Sequence, residues 1–298
     1  MPNITVNETD KNMRIDNFLS LKTDISRSQI QSLIKDGKVL VNNKLEKSSY
    51  KVRENDEITY EYEVKENHLS PEKIDLDIVY EDDDILVINK PNGLVVHPGP
   101  GNYEHTLANA LVYYSKNLSD VNGEFRPGIV HRIDAYTTGL LVVAKNNKAH
   151  EILASNLASK AIKRTYIALV WGKINEDTGT IDAPIGRDPK DRKKMAVVAN
   201  GKKAITHFKV LERYARATLI ELELETGRTH QIRVHMNYIN HPVVNDPVYG
   251  QAKLINDEGQ MLHARKLEFV HPITNKKMEF EVPLPDKLKV IIDMFKEE

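Results

Sequence analysis

His131-Arg132-Ile133-Asp134-Ala135-Tyr136-Thr137-Thr138-Gly139-Leu140-Leu141-Val142-Val143-Ala144-Lys145 falls into two halves. The second is a continuous run of aliphatic and β-branched residues, which predicts a buried strand. The first is polar, and Gly139 stands at the junction. A charged loop therefore feeds a buried strand, and side chains on loops held by a rigid sheet are where chemistry is usually carried. Asp134, five residues before the glycine, is the candidate. A lone Asp in a loop more often caps its own turn through the backbone, and this segment alone does not choose between the two readings.

Composition sets the bounds. A chain of 298 residues, 40% of them hydrophobic, can bury a sizeable core as one large domain or as a large one plus a small one. The apolar run over residues 139–144 is far short of the roughly 20 residues that span a bilayer. Met1-Pro2-Asn3-Ile4-Thr5 has neither the basic start nor the apolar core of a secretory signal. There is no cysteine, which removes disulfides and thiolate metal sites and fits a cytoplasmic location.

The net charge of −1 conceals blocks. Residues 11–53 carry ten Lys/Arg against four Asp/Glu, residues 54–84 carry two against thirteen, and residues 160–235 carry sixteen against nine. Two basic regions separated by an acidic connection are compatible with RNA as partner, and equally with solvated faces.

The central stretch resembles the H-R-L-D-x-x-[TS]-[ST]-G-L-L-x-x-A-K signature of the RluA/RluD-type RNA pseudouridine synthases, with Ala135 and Tyr136 where that family commonly has a basic and an acidic residue. The resemblance implies that Asp134 is catalytic, with His131 and Arg132 supporting it. It also implies an α+β fold: a large mixed, mainly antiparallel sheet flanked by helices and loops. Lys90-Pro91 and Gly93, Leu94, His97 and Pro98 resemble the family's first motif, which is structural and lines the wall behind the cleft. Lys163-Arg164-Thr165-Tyr166 resembles its K-x-Y segment, which implies that Tyr166 faces the cleft and stacks on the base. Pro184-Ile185-Gly186-Arg187 and the basic loop after it, with Arg192 and Lys193, match a segment suited to holding an RNA backbone.

Thr226-Gly227-Arg228-Thr229-His230-Gln231-Ile232-Arg233-Val234-His235 matches T-G-R-T-H-Q-I-R-V-H throughout, and implies that Arg233 pairs with Asp134, 99 residues earlier. Read as a strand, the odd spacing of His230 and His235 puts them on opposite faces, which argues against zinc. Asn240 and Asn245 replace family glycines, and Asn tolerates the same positive φ. The acidic run 81–84 reads as a solvated turn rather than a metal site, since no His or Cys is woven into it.

Residues 13–62 read as two helices and a small hairpin sheet, with Ser26 as N-cap of the second helix and Gly37 as its stop. Arg14, Asp16, Leu19 and then Ser26-Arg27-Ser28-Gln29-Ile30 resemble the S4 RNA-binding domain. Its second helix would present Arg27, Gln29 and Lys35 beside Lys38 to an RNA backbone. The expected organisation is a tail over 1–12, the S4-like domain over 13–62, a linker over 63–71 and a catalytic domain over 72–298.

Together the resemblances run from about residue 13 to 280 and imply an isomerase that converts uridine to pseudouridine in structured RNA, most of all large-subunit ribosomal RNA, with transfer RNA as the other substrate class. Substrate and product contain the same atoms, so no cofactor and no metal are expected, and the protein is expected to act as a monomer. RNA contacts are expected from Arg27, Gln29, Lys35, Lys38, Lys163, Arg187, Arg192, Lys193 and Arg228. The alternative is a non-catalytic RNA-binding or ribosome-assembly factor with the same fold, which has no need of Asp134, Tyr166 and Arg233 together. A hydrolase or kinase is disfavoured by the lack of G-x-S-x-G and of a glycine-rich partner to the His-Arg-Ile-Asp sequence.

Overall fold

The computed structural model describes residues 2–23, 25–62, 69–99, 101–123, 125–250 and 254–297. The chain divides into two units, Met1–Asn67 and His68–Glu298.

The first unit runs β1 (Asn3–Thr5), α1 (Ile15–Lys22), α2 (Arg27–Lys35), β2 (Val39–Val41), β3 (Lys44–Leu45) and β4 (Glu57–Tyr60). Its antiparallel sheet has the order β1-β4-β2-β3. Phe18 and Leu19 from α1, Ile30 from α2 and Ile58 from β4 form its core. Ser26 and Gln29 close a reciprocal capping box at the start of α2, satisfying donors that the first turn leaves free. Asn42 and Asn43 both take positive φ, 48° and 62°, as the two-residue turn between β2 and β3 requires. Asp16 is fully buried, which pushes its carboxyl up, yet hydrogen bonds from Arg14, Gln31 and Arg27 outweigh that and lower it to about 2.

The tail expected over 1–12 is, over its described residues 2–12, part of the fold: β1 pairs with β4 through Ile4 and Ile58, and Val6 is buried. Three residues are too few to show a period, and their partner lies more than fifty positions away. Of the linker over 63–71, residues 63–68 lie outside the described residues. Leu69 is packed in the second unit's core, and the Ser70 carbonyl accepts from Asn109 Nδ2 at 2.8 Å, so its end belongs to that unit.

The second unit contains β5 (Ile78–Glu81), β6 (Ile85–Lys90), α3 (Leu107–Tyr114), β7 (Thr138–Ala144), α4 (Asn147–Ala158), β8 (Lys163–Trp171), β9 (Thr178–Asp182), β10 (Ile185–Arg187), β11 (Met195–Val197), β12 (Ile205–Arg213), β13 (Ala217–Leu224), α5 (Gln231–Tyr238), β14 (Leu262–Val270), β15 (Lys277–Glu281) and α6 (Asp286–Lys296). Nine strands form one mixed sheet of order β5-β6-β7-β14-β8-β13-β12-β9, with β15 also paired to β14. Only β7 and β14 run parallel; every other described pair in it is antiparallel.

β7 is buried at every position because both faces are covered. Leu140 and Val142 pack with Ala149 and Leu153 of α4, while Leu141 and Val143 pack with Leu107 and Leu111 of α3. Over the middle of the sheet, Leu288 and Ile291 of α6 pack with Ile167 and Leu169 of β8. Among the described residues no helix is long and apolar enough to cross a membrane.

Gly139 is the hinge between loop and strand for a steric reason. Its φ is +107°, and a Cβ there would lie 2.1 Å from the Ala264 carbonyl oxygen on β14. Gly139→Ala is expected to cost at least about 2 kcal/mol, read as a lowered urea midpoint, because both the backbone and the strand pair must give way.

Two sequence readings are corrected here. The segment around His230 and His235 is a helix, α5, not a strand; Gln231 through Met236 are all buried, so burial masks the helical period and leaves the alternation of Ile232, Val234 and Met236 to suggest a strand. The acids of 81–84 do not simply face water. Asp82 accepts from the Asp84 and Ile85 amides, the Tyr80 hydroxyl and His271 Nε2, all at 2.8–2.9 Å, tying the turn to the end of β14.

Candidate active site

Asp134 is placed by the turn that precedes β7. Its carbonyl accepts from the Thr137 amide at 3.1 Å, while the Gln260 amide holds the Thr137 hydroxyl at 3.1 Å. The carboxylate makes no capping bond to its own turn. Instead Oδ2 accepts from Arg233 Nη1 at 2.9 Å across 99 residues of chain. Oδ1 lies 3.8 Å from His230 Nε2, beyond hydrogen-bond reach.

Arg233 is locked from its other side. Its Nε and Nη2 donate to Asp246 Oδ2 and Oδ1 at 2.7 and 2.8 Å, a bidentate pair in which the Asp246 side chain is fully buried. Asp246 also accepts from the Val248 and Tyr249 amides at 2.8 and 3.0 Å. Burial alone would lower the guanidinium pKa, but its hydrogen bonds to Asp246 and the charges of both carboxylates raise it, so Arg233 is permanently cationic. The Tyr249 ring centroid lies 5.1 Å from the guanidinium, and the Tyr249 hydroxyl is 2.8 Å from His230 Nδ1. His230 itself is at φ 56°, where α5 begins, and its burial lowers its pKa.

Two lysines hold the backbone just behind Asp134. Lys90, fully buried, donates to the Ala135 and Pro91 carbonyls at 2.7 and 2.8 Å. Lys287 of α6 donates to the Tyr136 carbonyl and Asn92 Oδ1 at 2.8 and 2.7 Å. Burial lowers them to about 7 and about 8.

In front of Asp134 is a cavity of about 420 Å³, within the roughly 300–1,000 Å³ of small-ligand pockets. Asp134, Arg233, Tyr166, Arg132, His131 and Arg228 all line it, as do Arg126, Arg164, Ile232 and Leu262. Tyr166 is buried, which raises its phenol pKa. Arg132 is exposed and donates to His97 Nε2 at 2.8 Å. His131 is turned to the scaffold: its Nε2 accepts from the Val142 amide at 3.1 Å.

The remaining residues of the second unit that are expected to bind RNA do not line this cavity. Lys163 is exposed at the start of β8, and it is Arg164 that lines the cavity. Arg187, Arg192 and Lys193 are exposed on the β10–β11 hairpin, where Arg187 Nη1 donates to the Arg192 carbonyl at 3.2 Å. Lys35 and Lys38 are exposed on the first unit, while Arg27 pairs with Asp16 at 3.2 Å. The Gln29 carbonyl oxygen is engaged in capping α2, and its amide donates to the Tyr62 hydroxyl at 3.4 Å.

Sequence reasoning missed Asp246 as Arg233's clamp, although this acid directly follows Asn245, one of the two positions that replace family glycines. It considered His230 only as a metal ligand, and Lys287 carried no signal at all.

The RNA pseudouridylate synthase family profile matches residues 84–238, a span that includes Asp134, Tyr166 and Arg233. The chain belongs to that family. It is an RNA pseudouridine synthase, an isomerase, and residues 13–58 match the S4 domain. It is 52% identical over 292 residues to the uncharacterized RNA pseudouridine synthase YlyB of Bacillus subtilis, covering 97% of this chain and 96% of that protein. It is 42% identical over 308 residues to the ribosomal large subunit pseudouridine synthase D of Escherichia coli K12, covering 98% of this chain and 93% of that protein. Among solved structures, human RNA pseudouridylate synthase domain containing 1 superposes with a TM-score of 0.58 at 27% identity, over 75% of this chain and 96% of that one.

Two histidines of this pseudouridine synthase make its stability depend on acid. Burial lowers His131 to about 3 and His263 to about 4, and each has one buried ring nitrogen without a partner. Below pH 6.5 the unfolded chain protonates both while the folded one does not, so stability falls as pH drops from 6.5 toward 4. The expected slope is about 1.4 kcal/mol per pH unit for each histidine. Urea denaturation at pH 7 and pH 5 measures it, and His263→Gln should remove about half of the difference these two contribute.

Proposed function

We propose that this synthase converts specific uridines of large-subunit ribosomal RNA to pseudouridine, with Asp134 as its catalytic residue. The observation that carries the reading is the Asp134–Arg233 pair: a carboxylate and a guanidinium 99 residues apart meet at 2.9 Å on the wall of a cavity, where Asp134 keeps one oxygen unbonded among the described residues. The relatives named for the large ribosomal subunit support the choice of RNA.

The reaction breaks the bond from C1′ to N1 and joins C1′ to C5; C5 then gives up its proton and N1 takes one up, so no other reactant is consumed. A carboxylate serves it as nucleophile, at C1′ or C6, or as base toward a sugar proton. Arg233 holds Asp134 aimed, and is itself held by Asp246. A uridine stacked in RNA is out of reach, so the target is everted into the cavity, with Tyr166 as the face that receives the base. The S4 domain adds affinity through phosphate contacts, for which exposed Lys35 and Lys38 are available. The basic hairpin loop with Arg187, Arg192 and Lys193 is proposed to hold RNA as well. The protein acts in this reading as a cytoplasmic monomer and without a cofactor.

The test is to map pseudouridine across all cellular RNA with and without the protein. The reading expects sites that vanish from large-subunit ribosomal RNA; loss confined to transfer RNA, or to nothing, would reject it.

A further inference from the structure

The cavity holds more positive charge than its chemistry uses. Among the described residues five arginines line it (Arg126, Arg132, Arg164, Arg228 and Arg233), and Asp134 is the one carboxylate. Arg233 is neutralised by Asp134 and Asp246, Arg132 donates to His97, and Arg228 Nε donates to the Lys203 carbonyl at 2.9 Å. Arg126 also has no side-chain hydrogen bond or ion pair with a described residue, but it is exposed; Arg164 differs from all of them in being both buried and unpaired. Its residue is only 9% exposed, its buried Nε–H has no partner, and it forms no ion pair or hydrogen bond with any described residue.

A guanidinium drawn this far from water with no counter-ion among the described residues is costly, and proteins rarely keep one without use. Two neighbours point to the use. Gly227, in a backbone conformation open to any residue, would carry a Cβ 3.0 Å from Arg164 Nη1, so the missing side chain leaves that nitrogen accessible. His131, lining the same cavity, accepts at Nε2 from Val142 and therefore carries its proton on Nδ1, a second buried donor with no partner. Arg164 and Tyr166 stand two residues apart on the same face of β8, roughly 6.6 Å along the strand.

We infer that Arg164, opened by Gly227, is the binding site for an RNA phosphate flanking the everted uridine. A phosphate is the anion that RNA offers; the uracil is neutral, and its carbonyls do not compensate a full buried charge. The planar fork of an Arg suits a phosphate's oxygens, and the spacing lets one nucleotide rest its base on Tyr166 while its backbone meets Arg164. This rests on the proposal that the everted uridine occupies the cavity.

The experiment follows tritium release from 5-tritiated uridine in unmodified transcripts of large-subunit and transfer RNA, as a function of salt. Arg164→Gln is expected to raise KM at least tenfold with kcat nearly unchanged, and to flatten the log–log salt dependence of kcat/KM by about 0.7–0.9, one phosphate's worth. Arg164→Lys should recover most of the loss. Gly227→Ala, which only fills the space beside Nη1, should raise KM in the same direction and covers the case in which Arg164→Gln does not fold. A fall in kcat with unchanged KM and salt slope, or full activity in both variants, overturns the inference. If the wild type acts only on transfer RNA, the ribosomal substrate fails while the Arg164 comparison is read on transfer RNA.

Discussion

Asp134→Asn is expected to lower turnover by about 10³-fold or more while leaving RNA affinity within a few-fold and the unfolding midpoint unchanged. The substitution keeps the shape and removes only the charge and nucleophilicity. Arg233 does not swing free, because its bidentate pair with Asp246 is independent of Asp134. RNA affinity is expected to persist because it rests on contacts to phosphates rather than on this carboxylate. Single-turnover conversion of labelled RNA measures the first effect, filter binding the second and urea denaturation the third. Retained isomerisation in this variant would remove Asp134 from the chemistry.

Asp246→Asn is expected to do what Asp134→Asn does not: destabilise the fold by about 3–5 kcal/mol as well as reduce turnover by about 10²-fold. Its carboxylate is fully buried against Arg233 and two backbone amides, so losing the charge leaves a buried guanidinium with Asp134 alone. The amide that replaces Oδ1 or Oδ2 must also point a donor at another donor. Arg233 then no longer holds Asp134 in one orientation, and activity falls through geometry rather than chemistry. The two variants separate the reacting carboxylate from the positioning one: denaturation should distinguish them by several kcal/mol, whereas turnover alone would not.

Elements whose pattern is local were legible in the chain. Ser26 was readable as an N-cap, and it closes a capping box. The apolar run after Gly139 is a strand buried at every position, and Asn240 and Asn245 take φ of 65° and 59° where glycines are usual. Where burial surrounds an element on all sides, the pattern failed, as α5 shows: a helix whose positions 231–236 are all buried carries no amphipathic period. β1 failed for the opposite reason, being too short for any period and dependent on a partner far along the chain.

The amino-acid sequence by itself determined the family, the α+β class and the pairing of Asp134 with Arg233 as an expectation, because these rest on residue types at set spacings. Only the tertiary structure decided that Arg233 is shared with Asp246, that Lys90 and Lys287 grip the backbone behind Asp134, and that Arg164 rather than Lys163 lines the cavity. Each of these depends on which groups burial brings within about 3 Å of one another across long separations, and hydrogen bonds and desolvation act at that range with no regard for distance along the chain.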